Sequence, residues 1–289
     1  MNRSQPLGIA LLTLVALLAI RVDAQQEPTE AVVKISRDVV YGEETEPMHR
    51  ADLYQLKSNV PALLNPGIIL IHGGAWFAGD KTNDILHAKR LANLGFVVMA
   101  INYRLVPKHP FPAQIDDCYL AQEWFNSHAG ELGVDPDKVG VWGYSAGGHL
   151  AALMATNPKD GLPRIKAAVV GAAPCDLTLL PEDSKILSSF LGGSRGKVPQ
   201  RYRDASPVTH VSSDDPPVFL FHGSKDWLVP PVMSKAMRDV LEEKGVPFEY
   251  VVVDKKAHLM TFIDHEATEK SFLFLKTHLP RVLSTQPPK

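Results

Sequence analysis

The 289-residue chain has little cysteine: Cys118 and Cys175 are the only two. That excludes a disulfide framework as the basis of the fold. Two isolated thiols without histidines at ligand spacing also make no metal site. Both are expected as buried thiols rather than a bridge. An excess of one charge is missing too: 30 Lys and Arg stand against 32 Asp and Glu, a net charge of −2. This leaves no electrostatic footprint for nucleic acid or an anionic membrane. The longest basic cluster, Lys255-Lys256, reads as a solvated turn. No long hydrophobic run occurs either. The longest, Leu7–Ile20, has 14 residues, short of the roughly 20 that span a bilayer. There is no internal repeat and no low-complexity tract.

That short run has a context. Arg3 precedes it and Val22-Asp23-Ala24 follows, the layout of a secretory signal peptide. Residues 1–24 are expected to be a signal cleaved after Ala24, with an uncleaved anchor as the alternative. No cysteine lies at the junction to carry a lipid. Residues 25–31 read as a linker and 32–289 as one folded domain. The expected location is secreted or periplasmic, with no stable membrane insertion after cleavage.

The body of the chain alternates between two periods. Strands are expected at Val32–Tyr41, Ala51–Lys57, Gly67–Ile71, Phe96–Ile101, Val139–Trp142, Ala167–Gly171, Val218–Phe221 and Phe248–Val253. Helices are expected at Asn83–Leu94, Gln114–Ser127, Ala146–Ala155, Met233–Lys244 and Thr268–His278, with Gly245 as a stop signal. Such alternation implies an α/β fold: an eight-stranded, mostly parallel sheet with helices on both faces. The first two strands have no helix between them and should form an antiparallel edge hairpin. The Pro-, Gly- and Ser-rich stretch Leu177–Asp215 reads as an insertion that shapes a pocket at the carboxyl ends of the strands.

Chemistry gathers around Gly143-Tyr144-Ser145-Ala146-Gly147. A strand before it and a helix after it make a sharp elbow that presents Ser145 at a helix N-terminus. A plain turn with a capping serine is the bland alternative. A serine hydroxyl needs a base, and histidine suits that task near neutral pH. Among His258, His265 and His278, His258 is favoured because it follows the last strand in a loop. The other two fall on the closing helix. Asp226 follows the neighbouring strand and is the expected acid. Asp254 would cap a turn, and Asp214 and Asp215 lie at the wrong strand end. His72-Gly73-Gly74-Ala75-Trp76 follows an apolar strand. The N–H groups of Gly73 and Gly74, with that of Ala146, make a candidate oxyanion hole. His72 reads as a structural hydrogen-bonder. Trp76, Phe77 and Tyr144 are candidate pocket wall.

Together these residues resemble the esterase/lipase branch of the α/β-hydrolases, which includes the hormone-sensitive-lipase-like enzymes. The likeness runs from about residue 50 to 280. His72-Gly73-Gly74 resembles its oxyanion motif. The segment Asn102-Tyr103-Arg104-Leu105, with Pro107, Pro110-Phe111-Pro112-Ala113 and Asp116-Asp117, resembles the stretch after its fourth strand. Phe190-Leu191-Gly192-Gly193 and Ser206-Pro207 resemble the region before the acid. His222-Gly223-Ser224-Lys225-Asp226 resembles its acid motif, with Val229-Pro230 behind. Ala75 replaces a frequent third glycine, Tyr144 replaces a frequent aspartate, and Lys256-Ala257-His258 replaces Gly-Gly-His. The first two departures are closer to small secreted esterases of acetylxylan and feruloyl type. The resemblance implies a serine carboxylesterase, without metal or cofactor, acting on small-molecule or carbohydrate-linked esters through an acyl-enzyme. Two alternatives stand beside it. A prolyl-oligopeptidase-type peptidase usually carries a large domain before the hydrolase, and the stretch ahead of Asp52-Leu53-Tyr54 is short for one. A non-catalytic binding protein commonly loses a triad member, and all three are present. Nothing in the sequence indicates an oligomeric state.

Overall fold

Two wholly apolar runs form the middle of the sheet. In the computed structural model, which describes residues 32–57 and 63–283, they lie in β3 (Leu63–Ile71) and β4 (Val97–Ile101). Successive side chains of a strand point to opposite faces. Ile69 and Ile71 therefore join one core, and Ile68 and Leu70 join the other. All four are at most 1% exposed, and burying each contributes roughly 1.5–3 kcal/mol. A strand buried on both faces can only be covered by helices.

The remaining strands of the main path are β1 (Val33–Val40), β2 (Arg50–Leu56), β5 (Val134–Tyr144), β6 (Ala168–Gly171), β7 (Val218–Gly223) and β8 (Phe248–Val253). They run in the order β1-β2-β4-β3-β5-β6-β7-β8. The β1–β2 pair is the expected antiparallel edge hairpin. β2 is also antiparallel to β4, and every later pairing on the path is parallel. Helices α1 (Ile85–Asn93) and α9 (His265–His278) cover one face through Leu91, Phe272 and Leu275. Helices α2 (Ala113–Ser127), which the four-residue α3 (Ala129–Leu132) follows, α4 (Ala146–Thr156) and α7 (Val232–Lys244) cover the other through Phe125, Leu150 and Met237. The fold is the eight-stranded, mostly parallel α/β sheet with helices on both faces. α7 ends where Gly245 takes φ 71°, a left-handed turn that glycine adopts without strain.

Some boundaries differ from the sequence expectation. β5 begins at Val134 rather than Val139, because Asn65 pairs with Val134 before the register shifts to Gly67 and Val139. A two-residue strand, β9 (Val282–Leu283), lies off the main path and pairs with the start of β3. α9 starts at His265 because Asp264 caps it, accepting a hydrogen bond from the Ala267 N–H at 3.0 Å. The Leu177–Asp215 stretch contains two short helices, α5 (Lys185–Leu191) and α6 (Pro199–Asp204). Cys118 and Cys175 are free and buried. Among the described residues no helix is long and apolar enough to cross a membrane, and no cluster of metal-ligating side chains occurs. The signal segment and linker expected at 1–31 lie outside the described residues.

Candidate active site

β5 ends at Tyr144 and α4 begins at Ala146, so Ser145 alone makes the turn. It does so at φ 56°, ψ −121°, a conformation that costs a non-glycine residue energy and has to be held in place. Part of the hold is the Ser145 N–H bonding to the Gly171 carbonyl on the next strand at 2.8 Å. The two motif glycines allow the turn. A Cβ at Gly147 would lie 2.0 Å from the Ile71 carbonyl oxygen, and one at Gly143 would lie 2.2 Å from that of Gly147. The helix thus starts directly against the end of β3. Its first N–H groups, including that of Ala146, have no acceptor within the helix.

The loop after β3 lies beside this turn, where a Cβ on Gly73 would be 3.4 Å from Ser145 Cβ. Gly74 takes φ 122° and its carbonyl accepts the Phe77 and Ala78 N–H groups at 3.0 and 3.1 Å. The N–H groups of Gly73 and Gly74 donate to no other described residue. His72 has the structural role expected of it. Its Nδ1–H donates to the Gly73 carbonyl at 2.7 Å, and its ring stacks on Tyr103 at 4.3 Å. Burial holds its pKa below the usual histidine value, so the ring is neutral.

Asp226 and His258 come together from the ends of β7 and β8. His258 Nδ1 is 2.6 Å from Asp226 Oδ2. Asp226 Oδ1 accepts the Leu228 and Val229 N–H groups at 3.0 and 2.9 Å, and His222 Nε2 lies 3.3 Å from Oδ2. Burial alone would raise the carboxyl pKa. The bonds from His222, His258 and Val229 outweigh it and hold the pKa well below the usual carboxylate range. Asp226 is therefore an anion whose partner imidazole is fixed by its Nδ1–H, leaving Nε2 to exchange a proton. His258 is the first residue of a five-residue helix, α8 (His258–Phe262), not a loop residue. The competing groups lie elsewhere. Asp254 is exposed and accepts the Ser224 hydroxyl, Asp215 pairs with Arg164, and His265 sits on the outer face of α9.

Ser145, Ala146, His258, Gly73, Gly74, Trp76 and Tyr144 all line one cavity of about 780 Å³. Trp76 is buried, stacked on Phe190 at 4.0 Å. Phe77 corrects the sequence expectation: it does not line the cavity and is 36% exposed. The left-handed pair Ala75 and Trp76 (φ 53° and 65°) folds the chain so that Trp76 packs inward and its neighbour does not. The insertion contributes Leu180, Pro181, Ile186 and Leu187, as its position suggested. Leu259 and Phe262 also line the cavity, one and four residues after His258, a spacing that puts them on the same helical turn. Asn83 and Asp84, at the start of α1, carried no signal.

A family model described as BD-FAE matches residues 52–241. The Mycobacterium tuberculosis protein named "Probable carboxylic ester hydrolase LipM" is 33% identical over 271 residues, covering 86% of this chain and 62% of that protein. "Esterase LipQ" of the same organism is 32% identical over 209 residues, 67% of this chain and 50% of that protein. The chain thus spans between half and two thirds of the length of these relatives. Among solved structures, a truncated carbohydrate esterase from gut microbiota is 26% identical with a TM-score of 0.77, covering 86% of this chain and 98% of that one. An elbow serine, an aspartate-bound histidine and a glycine loop sharing one cavity agree with these likenesses: the chain belongs to the BD-FAE family, in the esterase branch of the α/β-hydrolases.

Proposed function

We propose that the protein is a serine carboxylesterase working through an acyl-enzyme. The observation that carries the reading is the 2.6 Å bond from His258 to Asp226 on the wall of the cavity that holds Ser145. His258 Nε2 takes the proton of Ser145 as Oγ bonds to the acyl carbon, and the carbonyl electron pair moves onto oxygen. The N–H groups of Gly73, Gly74 and Ala146 stabilise that oxyanion, each worth roughly 3 to 4 kcal/mol in comparable enzymes. On collapse the ester C–O bond breaks and the alcohol leaves with the proton from His258. Water then repeats the sequence on the acyl-enzyme and releases the acid. Asp226 keeps the imidazole in the right tautomer and stabilises its charge. Ser145→Ala should lower hydrolysis of p-nitrophenyl acetate by at least a thousandfold and abolish labelling by a fluorophosphonate. Normal hydrolysis by that variant would sink the proposal.

The substrates are small or carbohydrate-linked esters. The cavity volume and the likeness to a carbohydrate esterase support this reading. Assay on acetylated xylan, feruloyl esters and short-chain acyl esters separates these classes. The protein is exported, on the strength of residues 1–24, and the exported form should begin at Gln25. A mass retaining the first 24 residues would contradict that.

A further inference from the structure

The residue before the nucleophile has a second set of contacts that pocket lining does not account for. The Tyr144 hydroxyl donates to the main-chain carbonyl of His258 at 2.6 Å, across 114 residues of sequence. Its ring also packs against the His258 imidazole at 5.1 Å and against Phe262 at 5.0 Å. Tyr144 is only 4% exposed. Burial, and then the charge of Asp226, push its phenol pKa up, so it remains a neutral donor across the working range of an esterase. The segment it holds needs a tie. α8 has five residues, and its N-cap residue, Ala257, makes no side-chain cap bond. A helix that short does not hold its own start in water. Its other ties run to the end of β7 and back to its own start: the Lys225 N–H bonds the Lys256 carbonyl at 3.0 Å, and Thr261, packed against Gly223, donates its hydroxyl to the Ala257 carbonyl at 3.0 Å. Tyr144 supplies the tie on the side of the nucleophile.

We propose that Tyr144 is a positioning residue: its hydroxyl, bonded to the His258 carbonyl, sets the imidazole relative to Ser145. The elbow that fixes the nucleophile then also fixes the base, because Tyr144 ends β5 directly before the strained turn at Ser145. Asp226 orients the ring through Nδ1, and Tyr144 orients the backbone that carries the ring. Proton transfer depends steeply on such geometry, since a displacement of about 1 Å costs roughly a hundredfold. The inference rests on the esterase reading above.

Tyr144→Phe tests it, because the ring and its packing remain and only the hydroxyl is lost. With p-nitrophenyl acetate, kcat should fall about tenfold while KM stays within about twofold. Fluorophosphonate labelling should slow in proportion to kcat, and the melting temperature reads the fold separately. In a His258→Ala background the same change should have no further effect on the residual rate, because the hydroxyl acts through His258. An unchanged kcat in Tyr144→Phe would overturn the inference. So would a rise in KM with kcat retained, which would make Tyr144 pocket wall only. An equal loss in both backgrounds would assign it to elbow packing and also overturn it. A wild-type protein that neither hydrolyses esters nor labels at Ser145 would overturn the esterase reading itself.

Discussion

At the scale of single residues, the site depends on places where no side chain fits. Gly147 lies against two consecutive carbonyls, of Ile71 and His72, at 2.0 and 2.6 Å from where a Cβ would sit. Both are main-chain atoms and cannot swing aside. Gly147→Ala should therefore destabilise the protein by about 3 kcal/mol, read as a lower urea midpoint, and should cut esterase activity among the molecules still folded. A wild-type midpoint would show that β3 and α4 can separate at little cost. The Gly-x-Ser-x-Gly spacing was legible because this packing admits nothing larger at two fixed offsets from the serine. Asp226 and His258 were legible for a related reason: both follow apolar strands within a few residues, at the ends where such sheets bind ligands. The bond from Tyr144 to His258 was not legible. It joins a side chain to a carbonyl, and a carbonyl has no residue-type signature.

At the scale of elements, the long runs declared themselves and the short ones did not. The run Gly67–Ile71 of β3 and the whole of β4 are apolar because helices cover both their faces, so composition alone marked them. β9 has two residues and α8 has five, too few for a period to show. The short helix α5 was hidden in a Pro- and Gly-rich stretch, yet Ser184 caps it by accepting the Leu187 N–H at 3.3 Å, and Gly192 ends it at φ 73°. Its Ile186 lines the cavity and is 45% exposed, so a change there should alter the pocket without disturbing the core. Ile186→Phe should narrow the wall. The ratio of kcat/KM on p-nitrophenyl butyrate to that on the acetate should fall about tenfold. If the two esters respond alike, α5 does not contact the acyl chain.

At the scale of the whole molecule, buried titratable groups tie stability to pH. His149 is fully buried among Trp76 and Phe190, with Nε2–H donating to the Ala205 carbonyl at 2.6 Å. Burial lowers its pKa to about 4, against roughly 6.5 in an unfolded chain. Between those values the unfolded chain takes up a proton that the folded one refuses. The contribution is complete above about pH 6.5 and declines as the pH falls toward 4, by roughly 3 kcal/mol in all. Urea unfolding at pH 7 and at pH 4.5 should show the decline, and His149→Gln should flatten it. An unchanged slope in that variant would remove His149 as the cause. The opposite placement of a reactive group has its own use. Cys118 and Cys175 are 0% exposed, and burial pushes both thiols up in pKa, so neither can be alkylated while the sheet stays shut. Each lies beneath a different connection, one on α2 and one just after β6. They make the unmodified protein its own opening clock: the rate at which each thiol captures iodoacetamide reports how often that part of the molecule comes apart.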